Sequence, residues 1–234
     1  MLLRMERARA IAVIVAAGSG SRLGGGEPKA LLTIGGRSLV AVAVERALAS
    51  PSIAGVVVAA PAGFEGRVRE LLAAYAASSV VVTGGATRQR SVAAGLDAIE
   101  AQFHVVVVHD AARPFASPEL FTAVVDAVMA GADAAVPVLP LVDTVKRVHD
   151  GSIVGTEPRD DLVLAQTPQA CRTELLRDGL AKAEESGLDF TDDAGLLEWV
   201  GVSVRTVSGE PGNFKVTTPS DLARADEILG AGRD

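Results

Sequence analysis

Residues 10–32 read AIAVIVAAGSGSRLGGGEPKALL, and how this stretch is understood decides the fold. An unbroken apolar, β-branched run opens directly into glycines. That is the pattern of a strand covered on both faces, delivering a loop at the carboxyl edge of a parallel sheet. A dinucleotide-binding loop takes G-x-G-x-x-G, its third glycine letting the next helix pack closely. Here the row runs Gly18, Ser19, Gly20, Ser21, Arg22, Leu23, with leucine in the third position. No Gly-Lys-Ser/Thr follows at Walker spacing either. What remains is a loop whose backbone N–H groups can meet phosphate oxygens, carrying two cations, Arg22 and Lys29, seven residues apart. Arginine grips phosphate bidentately and lysine acts as a mobile point charge, so the pair suits a phosphate whose charge grows during reaction. Only four of the 22 Lys and Arg residues are lysines, and two of those four sit in short loop motifs, Lys29 after Pro28 and Lys215 in GNFKVT. The plainer alternative is a solvated loop with incidental charges.

Outward from this loop, β-branched runs alternate with helical stretches. The runs are GVVVAAP, SSVVVTGG, FHVVVVHD and ADAAVPVLP. Between them lie helices expected over residues 38–50, 64–77, 88–100 and, from the N-cap Ser117 with Pro118 behind it, to about residue 130. The alternation predicts an α/β fold: a Rossmann-like three-layer sandwich with a mostly parallel sheet, read as a single domain over residues 1–234. Residues 141–161, LVDTVKRVHDGSIVGTEPRDD, break the rhythm by alternating polar and apolar residues around Asp150-Gly151, a hairpin-turn signal. This predicts a protruding β-arm, either folded on its own domain or used for dimerisation. A helix is expected over residues 173–186, a strand over 202–207 and a last helix from Thr218-Pro219. Cys171 falls in what reads as the start of the first of these helices, where it serves packing.

Composition removes several classes of function. With 234 residues and 49% hydrophobic content the chain can bury a substantial core, so disorder is not expected. A net charge of −7 offers no attractive field for nucleic acid or an anionic membrane surface, and 3% aromatics leave no stacking platform for single strands. The opening MLLRMERARA followed by IAVIVAAG imitates a signal peptide, but cleavage there would remove the first strand. No apolar stretch nears the ~20 residues that span a bilayer, and the single cysteine suits a reducing compartment. A cytoplasmic protein is therefore expected, with no fused enzyme beyond Leu229.

Three more polar motifs fall where strands should end, which is where ligands bind in a parallel α/β sheet. They are GGATRQRS from Gly84, HDAARP from His109, and Asn213-Phe214-Lys215. An aspartate at a strand tip beside a phosphate loop suits Mg²⁺, which takes one or two carboxylates plus substrate phosphates, so Asp110 is the metal candidate; its alternative is a loop cap. His109 is read as a structural hydrogen-bonder, since no G-x-S-x-G elbow accompanies it and His104, His109 and His149 are scattered.

In order and spacing, AAGSGSRLGGGEPK, GGATRQRSV, VHDAARP, DTVKR, TPQ, TDDAG and NFKVTTPSDL resemble the 2-C-methyl-D-erythritol 4-phosphate cytidylyltransferases of non-mevalonate isoprenoid biosynthesis, over about residues 10–229. The nucleotide half of the pattern is shared with ribitol-5-phosphate cytidylyltransferases, which stand as the alternative. The resemblance implies a CTP-dependent enzyme joining a cytidylyl group to a sugar-alcohol phosphate and releasing pyrophosphate, with Mg²⁺, as a homodimer through the β-arm. Position by position, Arg22 and Lys29 match the residues stabilising the transition state. Ala16, Ala17 and Gly18 match the backbone that holds CTP, Gly85 matches the cytosine reader, and Ser91 and Asp110 lie near the ribose, Asp110 also matching the metal carboxylate. Arg159 and Lys215 match the pair that positions the acceptor phosphate. Thr144, Thr191 and Arg113 match further acceptor contacts, with Thr144 and Arg113 expected from the neighbouring subunit. The chain departs from the pattern at Gly212, where many members carry an acidic residue before the asparagine, with Glu210 nearby but at a different position, and at Ala86, where relatives often carry Asp.

The phosphate monoester of such an acceptor, with a second pKa of about 6, is already mostly dianionic at neutral pH and needs no general base. An NAD(P)-linked oxidoreductase would need the missing third glycine and an acidic residue about 20 positions on, to which Glu45 corresponds only loosely. A non-catalytic nucleotide-binding protein of the same fold would have no use for both loop cations.

Overall fold

The computed structural model describes residues 10–18, 20 and 26–231. Strands β1 (Ala10–Val15), β2 (Thr33–Ile34), β3 (Arg37–Ser38), β4 (Ile53–Ala60), β5 (Ser79–Thr83) and β6 (Val105–Asp110) occupy the first half of the chain. They are followed by β7 (Ala134–Pro140), β8 (Val145–His149), β9 (Ser152–Glu157), β10 (Val163–Ala165), β11 (Gln169–Arg172) and β12 (Val204–Ser208). The helices are α1 (Leu39–Ala49), α2 (Glu65–Leu71), α3 (Arg88–Asp97), α4 (Pro118–Met129), α5 (Thr173–Glu185), α6 (Asp193–Trp199) and α7 (Pro219–Gly230).

Four strands run parallel in the order β5-β4-β1-β6. The antiparallel β11 joins β6 to β7, β10 extends along the same edge of β7, and β12 lies parallel on the other edge. Alternation along the strands builds two cores. Ala12, Ile14, Val58 and Val107 meet α1 and α4 on one face, with Phe121 fully buried. Val13, Val57, Val106 and Val108 meet α3, α5 and α6 on the other. The result is a mostly parallel sheet with helices on both sides, as the sequence predicts. The close helix approach that a dinucleotide fold obtains from its third loop glycine is supplied here within α3. A Cβ on Gly95 would stand 2.5 Å from Val13 Cγ1, so only glycine lets α3 lie this close to β1.

The chain goes from β1 outward through β4 to β5 and then returns to the opposite side of β1 with β6. Strand order therefore reverses between β1 and β6, whose last residues, Val15 and Asp110, are paired in register. Ligands of open α/β sheets bind beyond such a point.

Three expectations are revised. The helix expected over 64–77 ends at Leu71; residues 73–78 tighten into 3₁₀ turns, with the Tyr75 N–H donating to Leu72 O at 2.7 Å, as the Tyr75 hydroxyl donates to Glu45 of α1 (2.9 Å) and the chain turns into β5. Cys171 lies in β11 rather than at a helix start; a four-residue strand without alternation leaves almost no periodic signal. Its thiol is buried, and burial pushes its pKa well up, consistent with packing. The glycine pair Gly35-Gly36, both at positive φ, makes a small β2–β3 hairpin that the pattern did not announce, and α7 packs against it. The β-arm is present as β8–β9, turning at Asp150 and Gly151, whose φ values of 47° and 74° are both positive, as a two-residue primed turn demands.

Candidate active site

At the carboxyl ends of β1, β5 and β6 lies a cavity of about 670 Å³, within the range of ligand pockets. Ala16, Ala17 and Gly18 form its floor, where the Ala16 N–H still pairs with Ala59 O at 3.0 Å before the loop departs. Gly84 and Gly85 form one wall. A Cβ on Gly84 would stand 2.5 Å from Ala17 Cβ, so the two loops touch only because this residue lacks a side chain, and one on Gly85 would stand 2.3 Å from Arg90 Cβ, so the wall folds back on the start of α3 only with glycine there. Ser91 folds this wall: its hydroxyl donates to Thr87 O (2.9 Å) and receives the Gly85 N–H (3.1 Å). Lys29 enters from the opposite side on a 3₁₀ turn, with Gly20 at φ 66° packed against it. Arg22 lies outside the described residues.

Asp110 stands at the back of the cavity, and its carboxylate is held by two cations. Oδ1 accepts from Arg88 Nε at 3.0 Å and Oδ2 from Lys215 Nζ at 2.6 Å. Burial by itself would raise its pKa, but Arg88 and then Lys215 outweigh that and hold the carboxyl well below the usual range. Arg88 also donates to Asp193 Oδ2 at 2.7 Å, so two buried carboxylates overcome its desolvation and keep it firmly charged. Sequence reasoning did not single out Arg88. The available signal was a cation at the first position of a helix, where the dipole disfavours positive charge unless carboxylates answer it.

Lys215 is brought here by pairing between loops. The Val216 N–H donates to Ala112 O (2.8 Å), and Arg113 Nη1 donates to Asn213 O (2.8 Å). Asn213, fully buried, donates to Thr167 O (2.8 Å). His109 completes the frame as a neutral ring. Arg113 O can only accept, so Nε2 carries the proton (3.0 Å), leaving Nδ1 to accept from the Thr167 hydroxyl (3.0 Å); that hydroxyl in turn accepts the Asp110 N–H (3.1 Å). Desolvation lowers the His109 pKa to about 4.

A second cavity, about 290 Å³, shares Arg88, Asp110 and Lys215 with the first and adds Arg113, Thr191 and Asp192. Arg113 thus stands in the wall of its own chain's cavity, where the resemblance expects it across a dimer. Its desolvated guanidinium has a lowered pKa, and its Nε is buried without a partner. Thr144 and Arg159 line neither cavity. Both are exposed near the arm, Arg159 donating to Val142 O. Glu210, the nearest substitute for the acidic residue missing at Gly212, is committed to Ser117, accepting from its N–H (3.1 Å) and its hydroxyl. Among the described residues no three His, Cys, Asp or Glu side chains gather as a metal cluster.

A cavity at the switch point of a parallel sheet, floored by backbone and sharing three charged side chains with a smaller anion-ready pocket, defines a nucleotide-handling α/β transferase. The model of the 2-C-methyl-D-erythritol 4-phosphate cytidylyltransferase family matches residues 10–231. The chain is 46% identical over 222 residues to the enzyme of that name from Frankia casuarinae, covering 94% of this chain and 81% of the relative. Among solved structures it is similar to 4-diphosphocytidyl-2C-methyl-D-erythritol synthase from Anaerococcus prevotii (TM-score 0.82, 31% identity, 95% and 98% of the two chains). It is also similar to 2-C-methyl-D-erythritol 4-phosphate cytidylyltransferase from Thermus thermophilus (TM-score 0.76, 37% identity, 94% and 98%). The chain belongs to the 2-C-methyl-D-erythritol 4-phosphate cytidylyltransferase family.

Proposed function

We propose that the protein transfers the cytidylyl group of CTP to 2-C-methyl-D-erythritol 4-phosphate. A phosphate oxygen of the acceptor forms a bond to the α-phosphorus, the bond from that phosphorus to the bridging oxygen of the β-phosphate breaks, and pyrophosphate leaves with the electron pair. The observation that carries this is the shared wall: Arg88, Asp110 and Lys215 belong to both the larger and the smaller cavity, so ligands in the two would meet there. The larger cavity receives CTP on the backbone of Ala16, Ala17, Gly18 and Gly85, with Ser91 shaping the wall and Asp110 beside the ribose. The smaller one receives the acceptor, with Lys215 and Arg113 as cations for its phosphate and Thr191 for its hydroxyls.

Among the described residues His109 offers no free base, being neutral and spent on two hydrogen bonds, and a dianionic acceptor requires none. Catalysis then rests on positioning and on stabilising negative charge at the α-phosphorus, the part assigned to Lys29 and Arg22. Both oxygens of Asp110 are held by cations, Oδ1 by Arg88 and Oδ2 by Lys215, so a Mg²⁺ held chiefly by substrate phosphates and water could use this carboxylate only where Lys215 gives up Oδ2; bound there it would neutralise the departing pyrophosphate. Thr144 and Arg159, which line neither cavity of their own chain, are assigned to the acceptor site of a second subunit joined through the arm, whose Val142, Val148, Ile153 and Val154 are exposed. A cytoplasmic location fits the single buried thiol, and no helix among the described residues is long and apolar enough to cross a membrane.

Pyrophosphate release tests the proposal, with CTP, ATP, GTP and UTP each offered against methylerythritol phosphate and ribitol 5-phosphate. Release with CTP and methylerythritol phosphate is expected; a preference for ribitol 5-phosphate would move the protein to the alternative, and no release with either would reject the reading.

A further inference from the structure

Three consecutive residues at the start of α3 reach across to the loop that precedes α6 and to the first residue of α6. Thr87 Oγ1 donates to Asp189 Oδ1 (3.1 Å), and Arg88 Nη2 donates to Asp193 Oδ2 (2.7 Å). Gln89 uses both ends of its amide, Nε2 donating to Leu188 O (3.1 Å) and Oε1 accepting the Phe190 N–H (3.0 Å). The same short segment lines the nucleotide cavity through Thr87 and Arg88, while the loop it grips presents Thr191 and Asp192 to the smaller cavity. The far end of that loop is held separately by Gln169, whose Oε1 accepts the Asp193 and Ala194 N–H groups (3.1 and 2.9 Å) and whose Nε2 donates to Asp192 (2.9 Å). Two glutamines thus pin the two ends of one loop, and of these two it is Gln89 that, beside Thr87 and Arg88, ties the loop to the segment forming the nucleotide wall.

We propose that Gln89 is a positioning residue that couples the two substrate sites: a nucleotide ordering residues 84–91 orders residues 188–193, and with them Thr191, for the acceptor. This rests on the assignment of the two cavities to CTP and to the acceptor. Gln89 does not line the nucleotide cavity, so its loss leaves CTP binding in the absence of acceptor in place and acts on the exchange between the two sites. Because coupling is reciprocal, a bound acceptor would tighten CTP to the same degree in the intact protein.

The test compares the wild type with Gln89→Ala and Gln89→Glu by amide hydrogen exchange and by steady-state kinetics. In the wild type, saturating CTP is expected to slow exchange over both 84–91 and 188–193. In Gln89→Ala it should still slow exchange over 84–91 but protect 188–193 much less, with acceptor KM at saturating CTP and CTP KM at saturating acceptor raised together, roughly fivefold, while CTP Kd without acceptor and kcat hold within about twofold. Gln89→Glu keeps the acceptor for the Phe190 N–H and loses the donor to Leu188 O, and should fall between the two. Undiminished protection of 188–193 by CTP in Gln89→Ala, or an acceptor KM that rises with no matching rise in the CTP KM at saturating acceptor, would overturn the coupling. So would CTP leaving 84–91 unprotected in the wild type. A wild type that binds CTP but turns over neither acceptor would defeat the functional assignment alone, while the exchange comparison would still decide the coupling.

Discussion

His109 sets the acid limit of this fold. The ring is fully buried, stacks edge-on against Phe121 with centroids 5.0 Å apart, and exchanges hydrogen bonds with Thr167 and Arg113 that require its neutral form. A proton on Nδ1 would turn that atom toward a hydroxyl already accepting the Asp110 N–H, and would place a desolvated charge near Arg113 and Arg88. The folded pKa therefore drops to about 4 from an ordinary value of 6.5. The sign follows: below pH 6.5 the unfolded chain takes up a proton that the folded chain refuses. Stability is complete above that pH and falls as pH drops toward 4. Each unit in this window costs about 1.4 kcal/mol, close to 2 kcal/mol by pH 5 and about 3 kcal/mol in all. Asp110, with its depressed pKa, contributes only at lower pH, because its unfolded value of 3.8 lies below this window. Urea unfolding in chelator-containing buffer between about pH 7.5 and pH 5 should show the midpoint sliding at nearly constant m-value. In His109→Gln that slide should flatten, although the variant starts from lower stability at neutral pH. An NMR titration placing the His109 ring midpoint in the folded protein at or above 6.5 would refute the reasoning.

Other outcomes follow from the site. Lys29→Ala should lower kcat on the order of 100-fold while CTP affinity changes far less, measured by pre-steady-state turnover and calorimetry; unchanged kcat would remove Lys29 from the reaction. Arg88→Ala leaves Asp193 buried without its cation and Asp110 with only the half-exposed Lys215, and should cost about 3–5 kcal/mol in denaturant unfolding, with Arg88→Lys recovering only part because one ammonium replaces a two-sided fork. The paired change Val148→Glu with Ile153→Glu puts charge on facing, exposed positions of the arm and should give monomers in sedimentation with the far-UV spectrum unchanged; a persistent dimer would reject the arm as its interface.

The fold was legible wherever periodicity and loop chemistry agreed. Continuous apolar runs marked β1, β4, β6 and β7, Ser117-Pro118 marked the start of α4, and Asp150-Gly151 marked the turn of the arm. The elements that escaped are those whose conformation is imposed from outside. β11 is four residues long and exists because β6 and β7 leave a gap for it, and the 3₁₀ turns after α2 follow from the need to reach β5. In the site, residues carried by short motifs were legible one motif at a time. Which motifs meet was not, because Lys215 reaches Asp110 through pairing between residues 112–113 and 213–216, contacts about 100 positions apart. Arg88 was hidden for a related reason: its meaning lies in Asp193, 105 residues away.

The two cations on Asp110 are not equivalent, and their difference bears on how the site works. Arg88 is 19% exposed and anchored at its other end by Asp193, whereas the Lys215 side chain is 40% exposed and no second carboxylate is paired with it among the described residues. An ion pair with a partner that open to solvent is worth little, and an ammonium on a flexible stem can turn. Breaking the Arg88 pair strands a buried charge, which costs much more. On the proposed assignment of Lys215 to the acceptor, an arriving acceptor dianion would draw Lys215 from Asp110 at small cost while Arg88 stays to neutralise the carboxylate, making Lys215 the exchangeable charge and Arg88 the fixed one. Arginine in place of Lys215 would hold Asp110 more tightly and surrender to the acceptor less readily, so Lys215→Arg should raise acceptor KM while keeping the positive charge. An acceptor KM equal to that of the wild type would show that the exchange plays no part.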